Sequence, residues 1–255
     1  GLGGSDHDFS AVLLRDGQFH TAIEDERVTG HRYGDTHWTS KPCKPSADYC
    51  LGAAGIGTQN LDGLFISADL EGHDRFWECH PHQRIGHHVC HAAAAYYPSP
   101  FDDAALLVID GRGGPVAEAR NGRRSFETVS VGAAKGSRIS LETLQTGQQA
   151  VATSTWSYIS SNSVGWFYSI VTEAVGLGEN GEGKTMALAA YGQPRFVAPL
   201  KNFVTLSDDT IFEMDPYGGL WDYLIETIRA APSSFAVRSD LAASAQAILE
   251  ETVLA

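Results

Sequence analysis

Basic residues are scarce in this chain. Eighteen lysines and arginines stand against 31 aspartates and glutamates in 255 residues, a net charge of −13. Binding to a phosphate backbone needs clustered positive charge, so the balance argues against nucleic acid as a partner. Cysteine is sparse too: Cys43, Cys50, Cys79 and Cys90, with no C-x-x-C pair among them. That spacing gives no structural zinc site, and a reduced, cytoplasmic setting is expected. No apolar run approaches the roughly 20 residues of a membrane span, so no membrane partner is expected. No secretory leader pattern opens the sequence. What is present is a composition 43% hydrophobic and 19% charged, enough for a filled core in one large domain or two lobes. The first residue is Gly1, and the last stretch, "DLAASAQAILEETVLA", is helical in pattern, so a piece of a longer chain is expected.

The stretch "GLGENGEGKTMALAAYG", Gly176 to Gly192, contains G-x-x-x-x-G-K-T at Gly178, Gly183, Lys184 and Thr185. A P-loop needs a strand delivering the glycines and a helix leaving them. Upstream, "VGWFYSIVTEAVGL" places Val164, Phe167, Val171, Ala174 and Val175 at helical spacing. Ser163 suits the N-cap, and Gly176 or Gly178 the C-cap. A helix feeds this loop, so it is not expected to wrap a triphosphate as a P-loop does, although its glycines can meet a phosphate in another geometry.

Two segments open alike. In "SDHDFSAVLLRDGQFHTAIEDER", the strand-like runs Ser10 to Leu14 and Phe19 to Ile23 flank Asp16-Gly17, a hairpin signal. In "DDAALLVIDGRGGPVAEARNGRRSFETVSV", Ala104 to Ile109 leads to Asp110-Gly111, then to strands at Val116 to Arg120 and Phe126 to Val131. The repeat predicts an α/β protein of two lobes, 1–103 and 104–255, each opening with a hairpin. Two unrelated hairpins in an α/β chain remain the alternative. Between them a buried strand is expected near Leu64 to Ser67, and a helix through Ala92 to Ala95 that Pro98 stops.

Of ten histidines, His87 and His91 stand apart. At i and i+4 of a helix their imidazoles leave one face, the arrangement by which two histidines share a metal. His88 occupies the place where a zincin has Glu, so this is not a protease motif. Ordinary hydrogen bonding of two surface histidines is the competing reading. A metal would also need a further ligand, usually a carboxylate.

Taken in order, "SDHDFSAVLLRDG", "AIEDERVTGHRYG", "GHHVCHAAAAYYPS", "LLVIDGRGG" and "VGWFYSIVTEAVGLGENGEGKTMALAAYG" resemble the O-carbamoyltransferases of antibiotic biosynthesis and nodulation-factor modification. That family is related to the tRNA threonylcarbamoyltransferases and, more remotely, to the two-lobed actin/sugar-kinase-like (ASKHA) ATPase fold. The resemblance implies that carbamoyl phosphate and ATP form carbamoyl-adenylate on a separate YrdC-like C-terminal domain. The adenylate then yields its carbamoyl group to a small-molecule hydroxyl acceptor on the two-lobed domain, and AMP leaves.

The resemblance also implies site residues. His87 and His91 match the metal pair, with iron favoured over other divalent ions, and His7 matches a catalytic-region histidine of the first hairpin. Arg32 stands near a basic position that follows the family's acidic-Arg segment, although "VTGHRYG" departs from the usual pattern. Asp110, Gly111 and Gly113 match the second-lobe turn, and Gly183 and Lys184 the glycine-rich signature, both on the nucleotide side. The family's third metal ligand, an Asp of the last strands of the second lobe, and the YrdC-like domain are expected beyond this chain. An incomplete subunit or scaffold that needs a second chain is one alternative. A tRNA-modifying relative is another, which the −13 charge and the "IDGRGG" turn disfavour.

Overall fold

A computed structural model describes residues 1–4, 8–34, 41–70, 81–118, 124–151, 158–178, 180–206, 211–215 and 218–254, with backbone alone at 117–118, 149–151 and 158–159. The protein is mixed α/β and divides into two compact units, Gly1–Pro100 and Phe101–Ala255.

The first unit runs β1 (Leu2–Gly3), β2 (Ser10–Arg15), β3 (Gln18–Glu24), α1 (Asp25–Thr29), α2 (Lys44–Ala54), β4 (Phe65–Ser67), β5 (Gln83–Ile85) and α3 (His87–Tyr96). Its five-stranded sheet has the order β3-β2-β1-β4-β5. The β1–β2 and β2–β3 pairs are antiparallel, whereas β1–β4 and β4–β5 are parallel. Asp16 and Gly17 both take positive φ, 52° and 74°, the conformation a two-residue hairpin turn demands. Alternate side chains bury one face: Leu2, Phe9, Ala11 and Ile66 pack with Ala47 and Cys50 of α2. The start of α2 is capped from a distance. Asp25, 1% exposed, accepts the backbone N–H of Cys43 at 3.0 Å and of Ser46 at 2.9 Å, where open helix N–H groups favour an anion.

The second unit begins with β6 (Asp103–Ile109), β7 (Pro115–Glu118), β8 (Arg124–Lys135), β9 (Arg138–Val151) and β10 (Tyr158–Ser160). There follow α4 (Val164–Ala174), α5 (Glu182–Ala189), α6 (Val197–Leu200), the short pair β11 (Val204–Thr205) and β12 (Glu213–Met214), α7 (Leu220–Arg229) and α8 (Phe235–Leu254). Phe167 and Val171 of α4, Leu224 of α7, and Leu241 and Ile248 of α8 form its core. Residues 239–245 of α8 are buried without interruption, so this middle stretch of the helix is enclosed on all sides, and its small side chains include the buried polar Ser239, Asp240 and Ser244. Among the described residues no helix is long and apolar enough to cross a membrane.

One expectation is corrected. Asp110-Gly111 does not turn a hairpin between β6 and β7. Both strands pair antiparallel with β8, β6 from Asp103↔Lys135 to Ile109↔Val129 and β7 from Pro115↔Phe126 to Glu118↔Arg124. The segment is a bent edge lying along one long partner. Its backbone bonds continue through the bend: Asp110 N–H to the Thr128 carbonyl (3.0 Å) and Gly113 N–H to that of Glu127 (2.7 Å). Gly111 lacks the positive φ that a two-residue turn would need. Arg120, the expected end of the strand from Val116, lies outside the described residues.

Candidate metal centre

The chain reaches α3 from β5 through Gly86, and His87 is the first helical residue. His91 follows one turn later on the same face. Their rings meet edge-on, with centroids 4.5 Å apart and planes at 80°, and the two Nε2 atoms are 2.9 Å apart. Each nitrogen can therefore lie at the usual 2.0–2.1 Å from one shared ion. His88, between them, is buried.

The opposite edge of the His87 ring is also held. Its Nδ1 contacts Oδ2 of Asp69, whose side chain is 7% exposed. Asp69 lies in a 3-10 turn, Ala68–Leu70, directly after β4. β4 and β5 are parallel with Ser67 opposite Ile85, so Asp69 and His87 sit at equivalent positions past the two strand ends. A carboxylate on the far nitrogen of a ligating histidine is the usual outer support of a metal site, and this donor set fits a divalent cation. Cys90, one turn into α3, has its thiol pushed up by burial and then by the Asp69 charge, which disfavours a thiolate ligand.

Sequence reasoning singled out the two histidines and did not single out Asp69. The available signal was an aspartate just past a short buried strand, where sites gather in parallel sheets.

The remaining expected residues are spread through the chain. His7 lies outside the described residues. Arg32 is exposed and donates to the Tyr33 hydroxyl at 2.7 Å, its guanidinium 4.6 Å from that ring's centre.

In the second unit, the Asp110–Gly111 bend is clamped to the start of α4. The Ser163 hydroxyl lies 3.2 Å from the Asp110 carbonyl and 2.7 Å from that of Gly111, and accepts the Trp166 N–H at 3.1 Å. A Cβ on Gly165 would stand 2.6 Å from Gly111 Cα, so only glycine permits this approach. The Gly111 N–H donates to Asp110 Oδ1 at 2.6 Å and the Gly113 N–H is used by β8, so both are engaged within the chain. Gly183 and Lys184 are exposed in the first turn of α5, and Thr185 is fully buried.

Two histidines one helical turn apart with facing Nε2 atoms make a candidate metal pair in this α/β protein, and comparison with known proteins gives the family. The family described as Carbamoyltransferase N-terminus matches residues 77–255, and the chain belongs to it. The nodulation protein NolNO of Sinorhizobium fredii is 27% identical over 97% of this chain and 37% of its own length. The uncharacterized protein sll1178 of Synechocystis is likewise 27% identical, over 97% of the chain and 46% of its own length. A shorter match, 35% identical over 42% of the chain and 16% of the relative, is to the uncharacterized protein MJ1058 of Methanocaldococcus jannaschii. The chain thus spans less than half the length of these relatives.

Proposed function

We propose that this chain is the acceptor-side part of an O-carbamoyltransferase, its two units being the two lobes of an actin/sugar-kinase-like (ASKHA) fold. The observation that carries the reading is the pair of Nε2 atoms 2.9 Å apart on α3, in a chain of this family. His87 and His91 hold a divalent cation, iron by preference, with a carboxylate, a substrate phosphate or water completing its shell. When bound, such an ion polarises a carbonyl or neutralises a departing phosphate.

The donor is carbamoyl-adenylate, formed from carbamoyl phosphate and ATP by the part of the protein that lies outside this chain. A small-molecule acceptor brings the hydroxyl. Its oxygen forms a bond to the carbamoyl carbon, the bond from that carbon to the adenylate oxygen breaks, and AMP departs with the electron pair. His7 takes the hydroxyl proton, a transfer an imidazole performs near neutral pH. Arg32 offers a cation to the anionic donor, and Lys184, exposed on α5, offers one to the nucleotide phosphate. Asp110 and Gly111 through their clamp on α4, and Gly113 through its bond to β8, shape the nucleotide side, because their N–H groups are already in use.

The test uses the full-length polypeptide with labelled carbamoyl phosphate, ATP and a panel of hydroxylated acceptors. His91→Ala abolishes transfer to the acceptor but leaves ATP-dependent formation of carbamoyl-adenylate intact. Unimpaired transfer in that variant refutes the proposal.

A further inference from the structure

We infer that Asp69 is a positioning residue that sets the tautomer of His87 and so makes Nε2 the ligand atom. The inference rests on the metal reading above. It begins with topology. β4 and β5 are adjacent, parallel and in register, Ser67 opposite Ile85, and the chain leaves both at the same end of the sheet. Residues an equal number of positions past those ends emerge side by side, and Asp69 and His87 occupy such places. The carboxylate meets the ring at Nδ1.

Burial sharpens the point. Asp69 Oδ2 is shielded from solvent, and among the described residues it accepts no hydrogen bond from any group apart from the His87 ring it contacts. A buried carboxylate oxygen is costly unless a partner compensates it. Facing a carboxylate, Nδ1 keeps its hydrogen, which leaves the lone pair of the neutral ring on Nε2. That is the atom 2.9 Å from Nε2 of His91. With Nδ1 held, the ring cannot flip to present its other nitrogen to the ion.

A purely structural role is the alternative, because an acidic group near the start of α3 also favours the helix. Two readouts on this chain separate them. Long-range proton–nitrogen NMR of the metal-free protein, with His87→Gln supplying the assignment, reports which ring nitrogen carries hydrogen. Titration with Co2+ gives metal affinity. In the wild type His87 carries its hydrogen on Nδ1. In Asp69→Asn the tautomers mix and Co2+ affinity falls about 10- to 100-fold, with partial recovery in Asp69→Glu. A wild-type His87 with hydrogen on Nε2 overturns the inference, even if every Asp69 variant misfolds. So does an Asp69→Asn chain that melts earlier yet binds Co2+ as tightly as the wild type. A wild-type chain that takes up no Co2+ refutes the metal reading alone, and hydrogen on Nδ1 then still upholds the role of Asp69.

Discussion

Thr185 donates its hydroxyl hydrogen to the hydroxyl of Thr172 at 2.8 Å, tying the first turn of α5 to α4. In a P-loop, the residue at this place faces Mg2+. Here the side chain has no solvent exposure, and the preceding element is a helix. Thr185→Val is predicted to lower stability by about 1 kcal/mol, the usual worth of one hydrogen bond, and to leave Mg–ATP affinity unchanged. Urea unfolding and a nucleotide titration check both. Loss of Mg–ATP binding without loss of stability contradicts this account.

Asp25 stabilises through two buried N–H acceptances at the start of α2. Asp25→Ala strips both Cys43 and Ser46 of their acceptor. The expected cost is about 2–3 kcal/mol, above an ordinary cap loss because the donors stay buried. Chemical denaturation measures it, and a cost within 0.5 kcal/mol of zero, the range of about ±0.5 for neutral surface changes, rejects the capping role.

Two glycines hold the helical layer by close approach. A Cβ at Gly165 would meet Gly111 Cα at 2.6 Å, and one at Gly192 would meet the Ser239 carbonyl oxygen at 2.0 Å. Gly165→Ala and Gly192→Ala are each predicted to cost at least about 2 kcal/mol, since backbone must shift to admit the methyl. Thermal melts of the two variants check this. Gly183→Ala, with open space around it, serves as the mild control.

Alkaline pH provides another test. Burial, and then the charge of Asp25, push the Cys43 thiol from 9.0 up to about 12. Between those values the unfolded chain has released a proton that the folded chain retains, so stability falls as pH rises from about 9. Tyr168, raised from 10.0 to about 12 by burial and then by Glu182 and Glu250, adds a loss of the same sign that starts higher. Urea midpoints across this range should fall less steeply in Cys43→Ala than in the wild type. Equal slopes in both count against the buried thiol.

Local signals in the sequence were readable. Ser163 and the apolar spacing after it gave α4 and its cap, and the helix carrying His87 and His91 ends before Pro98 as expected. Asp16-Gly17 gave the first hairpin because both residues take the turn's positive φ. Asp110-Gly111 carries the same letters with a different outcome, since β8 is long enough to pair with β6 and β7 in succession. Asp69 was hidden for a related reason. Its approach to His87 depends on the register of two three-residue strands, a nonlocal pairing that neither strand announces by itself.

The central claim is that His87 and His91 together hold one metal ion. Anaerobic calorimetric titration of this chain with Fe2+ tests it most directly. The account predicts a single saturable site in the wild type and its loss in both His87→Ala and His91→Ala. No saturable binding in the wild type, or undiminished binding in either variant, contradicts it.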